Sequence, residues 1–372
     1  MKNKFLKSLL ILSLALFGTN CAMADFSFND MELKFVQVSD VHLSDAPDTS
    51  YKVLSNSKEL LNSAIKDINK IKAVDFVVFT GDMVNEPTKE YYKDFLVSLT
   101  HLKAPALFVL GNHDISGNPD NPDYLDKNTV VEVLQRSNPY QDYGKPYFAY
   151  SPNADYRVIV LDTTEGYEGR SNGFLPPEQM NFLDNEIANN TDKVIVIFQH
   201  HPVIEPFKSA DHKLLNANEY MATLKKYPKV PIAIFAGHYH AAKIVTRGNI
   251  LHATSPALIT YPNSFRTVKI TNYNDRVIFN FNFNETRLKD VQSKSKAGLV
   301  ATAVFSGLPS DRSTEVMIRK GYVPKQKYTK EELREAKKNY KLQKEQYKAE
   351  LKAQKAAEKA AKKAEKAAKK GK

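Results

Sequence analysis

Six short apolar runs rich in Val, Ile and Phe constrain this chain more than any other feature. They are Leu33 to Val38, Phe76 to Thr80, Ala106 to Leu110, Val158 to Leu161, Val194 to Phe198 and Ile232 to Ala236. Their near-continuous apolar character predicts strands covered on both faces rather than strands with one wet face. Helical stretches lie between several of them, at Tyr51 to Ile71, Thr88 to Leu102 and Pro177 to Asn189. In the second, Tyr91, Tyr92, Phe95, Leu96 and Leu99 fall on one helical face. Strands alternating with helices predict an α/β architecture. From Ile250 to Phe283 closely spaced strands with Asn and Asp turns predict antiparallel sheet in the same domain. The long irregular connections Ser116 to Lys127, Thr163 to Gly173 and Ile204 to Leu214 are expected to overhang a site.

The two ends of the chain differ from this body. Lys2, Lys4 and Lys7 precede an apolar run from Leu9 to Phe17 and the triplet Ala22-Met23-Ala24. The run is far short of the ~20 residues of a membrane span, so residues 1–24 are expected to be a signal peptide cleaved after Ala24. Export would place the mature protein in the periplasm, the cell envelope or the medium. Its single cysteine, Cys21, lies in that leader, so a metal site in the mature chain would use nitrogen and oxygen ligands. The formal charge of +11 belongs to the other end: residues 321–372 hold 17 Lys and one Arg against seven Glu, which leaves 25–320 at about −3. The basic balance therefore describes an appendage, not a nucleic-acid-binding body. Thr329 and Glu332 have capping-box spacing, and Glu358/Lys362 and Glu365/Lys369 add i,i+4 pairs, predicting a helical or low-complexity tail. Residues 25–320 are expected to form one large domain.

Five of the six runs end in clusters of metal-ligating residue types: Ser39-Asp40-Val41-His42, Gly81-Asp82, Gly111-Asn112-His113-Asp114, Gln199-His200-His201-Pro202 and Gly237-His238-Tyr239-His240. One Asp-x-His or His-x-His arises readily by chance. Five clusters, each directly after a buried strand, put their side chains where α/β sheets bind ligands, beyond the carboxyl ends of the strands.

These motifs resemble those of the calcineurin-like metallophosphoesterases, over about Phe35 to Ser255. The resemblance implies a four-layer sandwich, two mixed β-sheets face to face with helices outside. It assigns Asp40, His42 and His240 to one metal, Asn112, His200 and His238 to a second, and Asp82 to a bridge between them. Imidazoles and carboxylates suit Mn, Fe or Zn. The implied reaction is hydrolysis of a phosphodiester or phosphomonoester by a metal-activated hydroxide, with no protein nucleophile. His113 would face the substrate as acid or charge stabiliser, and Asp114 would orient His113 or brace its loop. The alternative is an envelope-binding protein in which the basic tail grips anionic polymers or lipid head groups and the metal fold is only a scaffold; specific nucleic-acid recognition is not expected.

The remaining histidines carry less. His201 is read as supporting its neighbour or packing, His101 as a helix residue without a catalytic part, and His252 as structural on a strand. His212, Arg170 and Lys208 sit in long loops as weak substrate contacts. Asn85 stands where purple acid phosphatases carry a metal-binding Tyr. Asp114 and Ala236 depart from the Glu and Arg of protein Ser/Thr phosphatases. Leu161-Asp162-Thr163, Gly173-Phe174-Leu175, Glu178-Gln179 and Phe182-Leu183 resemble class III cyclic nucleotide phosphodiesterases and related bacterial enzymes.

Overall fold

The computed structural model describes residues 32–135, 145–164, 171–298 and 302–321, together with Arg334. The chain divides into two compact units, Met1–Val323 and Pro324–Lys372, and the described residues belong to the first apart from Arg334. The expected leader and nearly all of the basic tail, like Arg170, lie outside the described residues.

Twelve described strands form two six-stranded sheets. In the first, β1 (Glu32–Val38), β2 (Phe76–Thr80) and β3 (Ala106–Val109) run parallel, and β10 (Ser264–Asn272), β11 (Arg276–Glu285) and β12 (Thr314–Arg319) extend the sheet antiparallel from β1. In the second, β5 (Tyr156–Val160), β6 (Val194–Phe198), β7 (Ile232–Ala236) and β9 (Ile250–Thr254) are parallel, flanked by antiparallel β4 (Phe148–Tyr150) and β8 (Lys243–Arg247).

Alternate side chains of the apolar runs serve different layers, which is why the runs are apolar throughout. Phe35, Phe76, Val78 and Leu107 of the first sheet meet Val158, Val196, Phe198 and Phe235 of the second in one buried cluster. Phe35 stacks on Phe76 at 5.4 Å between ring centroids and makes edge contacts with Phe198 at 5.1 Å and Phe235 at 5.0 Å, so one ring joins both sheets. Burial of each such side chain stabilises by about 1.5–3 kcal/mol. Val36, Val77, Phe79 and Phe108 point the other way, under α1 (Ser57–Ile68), α2 (Lys89–Leu99) and α3 (Lys127–Gln135). Ile159, Ile195, Ile197, Ile232 and Ile234 likewise underlie α4 (Pro177–Ala188) and α5 (Ala217–Leu224). The architecture is therefore the α/β four-layer sandwich. After β11 the chain adds α6 (Lys289–Ala297) and α7 (Thr302–Ser306) before β12.

Several boundaries depart from the sequence expectations. The helix expected from Tyr51 begins only at Ser57, after a 3-10 turn at Leu54–Asn56. Tertiary bonds override helix propensity there: Val53 donates its N–H to Ile259 O at 3.2 Å, and the Ser57 hydroxyl donates to Ser44 O at 2.8 Å. The antiparallel reading of Ile250 to Phe283 holds for β10 and β11 in the first sheet and in part for β9, which joins the second sheet, antiparallel to β8 on one side and parallel to β7 on the other. The loop expected to end at Lys127 leads into α3, whose first turn is fixed by Asp126 Oδ1 accepting from Thr129 N at 2.9 Å. His101 is exposed in the turn after α2, not within it.

His252 lies on β9, as expected, only 5% exposed and with neither ring nitrogen hydrogen-bonded. Burial, with Arg247 adding to it, pushes its pKa down to about 3. The native state then refuses a proton that the unfolded chain accepts below about pH 6.5. Stability is thus lost as pH falls from there toward 3, at up to about 1.4 kcal/mol per pH unit. His252→Leu should flatten that dependence: denaturant unfolding of both proteins at pH 7 and pH 5 should show the difference in stability widening at pH 5. Equal pH slopes would refute it.

Candidate metal centre

The clusters after β1, β2, β3, β6 and β7 meet at one end of the sandwich. Adjacent strands deliver them in register, with Asp40 N donating to Gly81 O at 3.1 Å, His42 N to Asp82 O at 2.9 Å and Gly237 N to His200 O at 3.0 Å. Gln37 crosses between the sheets and donates to Ala236 O at 3.1 Å. The backbone at this end is strained. Asp40, His42, Asp82, His238 and His240 all have positive φ, between 45° and 70°, a left-handed conformation that non-glycine residues avoid by roughly 1–2 kcal/mol each. The turns throw these side chains inward instead of onto the sheet faces. Gly81 has φ +91°, and a Cβ there would strike the His200 ring. Gly111 has no such φ; it is needed for close approach, because a Cβ would collide with Asp82.

Two nests of donor atoms share one carboxylate. Asp40, His42 and His240 form the first, with His42 Nε2 3.2 Å from His240 Nε2 and His240 Nε2 3.4 Å from Asp40 Oδ1. In the second, His200 Nε2 is 3.1 Å from His238 Nδ1. The single atom Asp82 Oδ2 stands 3.4 Å from both His42 Nε2 and His200 Nε2. Asn112 lines the same cavity, and its Oδ1 is buried without a hydrogen-bond partner. Imidazole nitrogens face to face at 3.1–3.2 Å need a cation or proton between them, and the spacing matches donors around one ion at bond lengths of about 2.0–2.2 Å. The residues present fit two metal ions.

Groups behind the nests orient three of the ligand side chains. Thr80 O lies 2.8 Å from His200 Nδ1 and, as a carbonyl, can only accept, so the Nδ1 proton points there and Nε2 is the atom that faces inward. His240 Nδ1 is 2.6 Å from Thr260 Oγ1, and the Ser39 hydroxyl donates to Asp40 Oδ2 at 2.6 Å. Burial pushes His42 and His238 well below the ordinary histidine range. Burial acts the same way on His200, but the Asp82 carboxylate overcomes it and raises His200 to about 9.

His113 sits at the cavity edge. Its Nδ1 donates to Asn85 O at 2.8 Å, and its backbone N–H donates to Asp82 Oδ1 at 2.9 Å. Asn85, at the position of the purple acid phosphatase Tyr, thus contributes a carbonyl that aims His113. The Asp114 carboxylate makes no hydrogen bond to the His113 ring; it accepts from the backbone N–H groups of Met83 at 2.7 Å, Val84 at 3.2 Å and Gly111 at 2.8 Å. Burial and the nearby Asp82 charge push Asp114 up to about 7.

Of the secondary residues, His212 lines the cavity, 5.3 Å from His238 between ring centroids, whereas Lys208 is exposed and does not line it. His201 packs behind His238 at 4.3 Å, held by Thr163 Oγ1 2.8 Å from its Nδ1. The stretches resembling class III phosphodiesterases interlock in that support: Asp162 N donates to Gln179 Oε1 at 2.9 Å and Phe174 N to Thr163 O at 2.9 Å. Sequence reasoning missed Tyr51, Lys52, Phe207, Tyr239 and Phe305, which line the cavity of about 330 Å³. Tyr51, Lys52 and Phe207 stand in irregular segments without a spacing signal, Tyr239 lies between the two histidines that define its cluster, and Phe305 belongs to a short helix distant in sequence from the clusters.

Comparison with known proteins agrees with this geometry. A probable cyclic nucleotide phosphodiesterase of Xenorhabdus bovienii is 26% identical over 245 residues, 64% of this chain and 92% of the relative. A probable glycerophosphodiester phosphodiesterase of Arcobacter nitrofigilis is 28% identical over 232 residues, 60% of this chain and 78% of the relative. A dimetal phosphatase from Danio rerio shares the fold with a TM-score of 0.52 at 16% identity, covering 68% of this chain and 99% of that one. Residues 33–242, more than half of the sequence, match the calcineurin-like phosphoesterases. The chain belongs to that family and is a metal-dependent phosphoric ester hydrolase.

Proposed function

We propose that this protein hydrolyses a phosphodiester at a dinuclear centre in which Asp40, His42 and His240 hold one ion, Asn112, His200 and His238 hold the other, and Asp82 joins them. The observation that carries this reading is the position of Asp82 Oδ2, 3.4 Å from an imidazole of each nest. Mn, Fe or Zn fits the donor set. When bound, the ions supply Lewis acidity that makes water nucleophilic at neutral pH and offsets charge on the phosphoryl oxygens. The protein does the rest. Thr80, Thr260 and Ser39 hold the ligand side chains in their inward orientation, and Asp114 braces the turn by occupying three backbone amides. With Nδ1 committed to Asn85 O, Nε2 is the atom of His113 that would exchange a proton with the leaving oxygen. Phe207, Tyr239 and Phe305 wall the cavity and give an organic ester group apolar surface to rest on.

The names of the two bacterial relatives favour a diester over a monoester. Purified protein freed of metal and reloaded with Mn, Zn or Fe should cleave a chromogenic phosphodiester, and chelation should abolish the activity. Absence of turnover on both a diester and a monoester with every metal would reject the proposal. The same reading includes export by the leader and attachment of the basic tail to anionic envelope polymers or lipid head groups, through contacts that weaken with salt.

A further inference from the structure

The cavity holds a cation that the proposed hydrolytic centre does not use. Lys52 is 7% exposed, on the irregular segment before α1, and its Nζ lies 3.3 Å from His42 Nδ1 and 3.4 Å from His113 Nε2. The second contact has a defined polarity. His113 Nδ1 donates to a carbonyl, so Nε2 of the neutral ring is an acceptor and the ammonium donates to it. Among the described residues no carboxylate forms an ion pair with Lys52. The carboxylates that act on it at longer range are Asp82, which the two nests share, and Asp40 of the first nest. The Tyr51 ring, 5.7 Å away, offers only a weak cation–π contact.

A buried ammonium is costly unless something compensates its charge. Here the compensation from Asp82 and Asp40 would be spent on metal ions, while Lys52 faces the same cavity as Asp82, Asn112, His113, His238 and His240. What the cavity is proposed to receive is an anion. We propose that Lys52 is the anion anchor of the site, its ammonium leaving His113 to bind a non-bridging phosphoryl oxygen of the ester and, after hydrolysis, of the phosphate product. The assignment rests on the phosphoesterase reading and adds a residue to it. It gives Lys52 two partners in sequence: His113 Nε2 before substrate enters, and the phosphoryl group afterwards. Transfer of the ammonium to the phosphoryl oxygen frees His113 Nε2 only when substrate is present.

The test is calorimetric binding of inorganic phosphate to metal-loaded wild type, Lys52→Met and Lys52→Arg, with metal content measured on each. Lys52→Met should bind phosphate at least about 10-fold more weakly while retaining both metals, the scale of a lost charge-assisted hydrogen bond. Lys52→Arg should regain part of the affinity, because it restores charge and donors. Unchanged phosphate affinity in Lys52→Met would overturn the anchor and leave the hydrolytic reading standing. Loss of metal in Lys52→Met would also overturn it, making Lys52 a support for His42. Lys52-dependent phosphate binding in a wild-type protein that hydrolyses no ester would instead sustain the anchor and reject the hydrolytic reading.

Discussion

Alanine at position 82 is expected to lower turnover by about 10³-fold or more and to strip most of the bound metal. One Asp82 oxygen stands equally far from His42 and His200, so its removal deprives both nests of a shared negative charge and leaves two cations to repel each other at short range. Burial raises the cost of an uncompensated charge at this point. Metal content by elemental analysis and turnover on a phosphodiester should fall together. A variant that keeps two ions per chain and near-normal turnover would remove Asp82 from the bridge and dissolve the proposed centre.

His113→Ala is expected to act differently, lowering turnover by about 10²-fold while both metals stay. The distinction follows from which atoms of His113 touch the centre. Its contact with Asp82 is made by the backbone N–H, which alanine retains, whereas Nε2 in the cavity is lost. The competing outcome is concrete, because His42, Asp82 and His113 also place donor atoms within 4.8 Å of one another. If His113→Ala loses an ion, His113 is a ligand and the acid assigned to Nε2 must be sought elsewhere.

The metal-ligating types were legible in the sequence because each follows a strand whose two buried faces force a continuous apolar run. The run announces the strand, and the turn after it can only project from the sheet's carboxyl end. Lys52 was hidden for the opposite reason. It stands alone in a stretch whose local pattern continues into a helix, and what unwinds that stretch is a bond from Val53 to Ile259, some 200 residues away. The sheet membership of β9 was likewise unreadable: its apolar residues specify burial on both faces but not which neighbour takes its hydrogen bonds. Asp114 shows an intermediate case. Its motif position pointed to the site, but only the three amides it accepts from distinguish bracing the turn from orienting His113.

The five left-handed residues at the ends of these strands have a consequence for how such a site persists. Glycine would adopt every one of those conformations at less cost, so the chain holds Asp40, His42, Asp82, His238 and His240 against its own conformational preference. Replacement by glycine would relax each of them, whereas a β-branched or bulky residue would strain the turn further. The five strained positions are therefore a folding cost that the chemistry of the site accounts for, while the stability of the sandwich rests on the phenylalanines between its sheets.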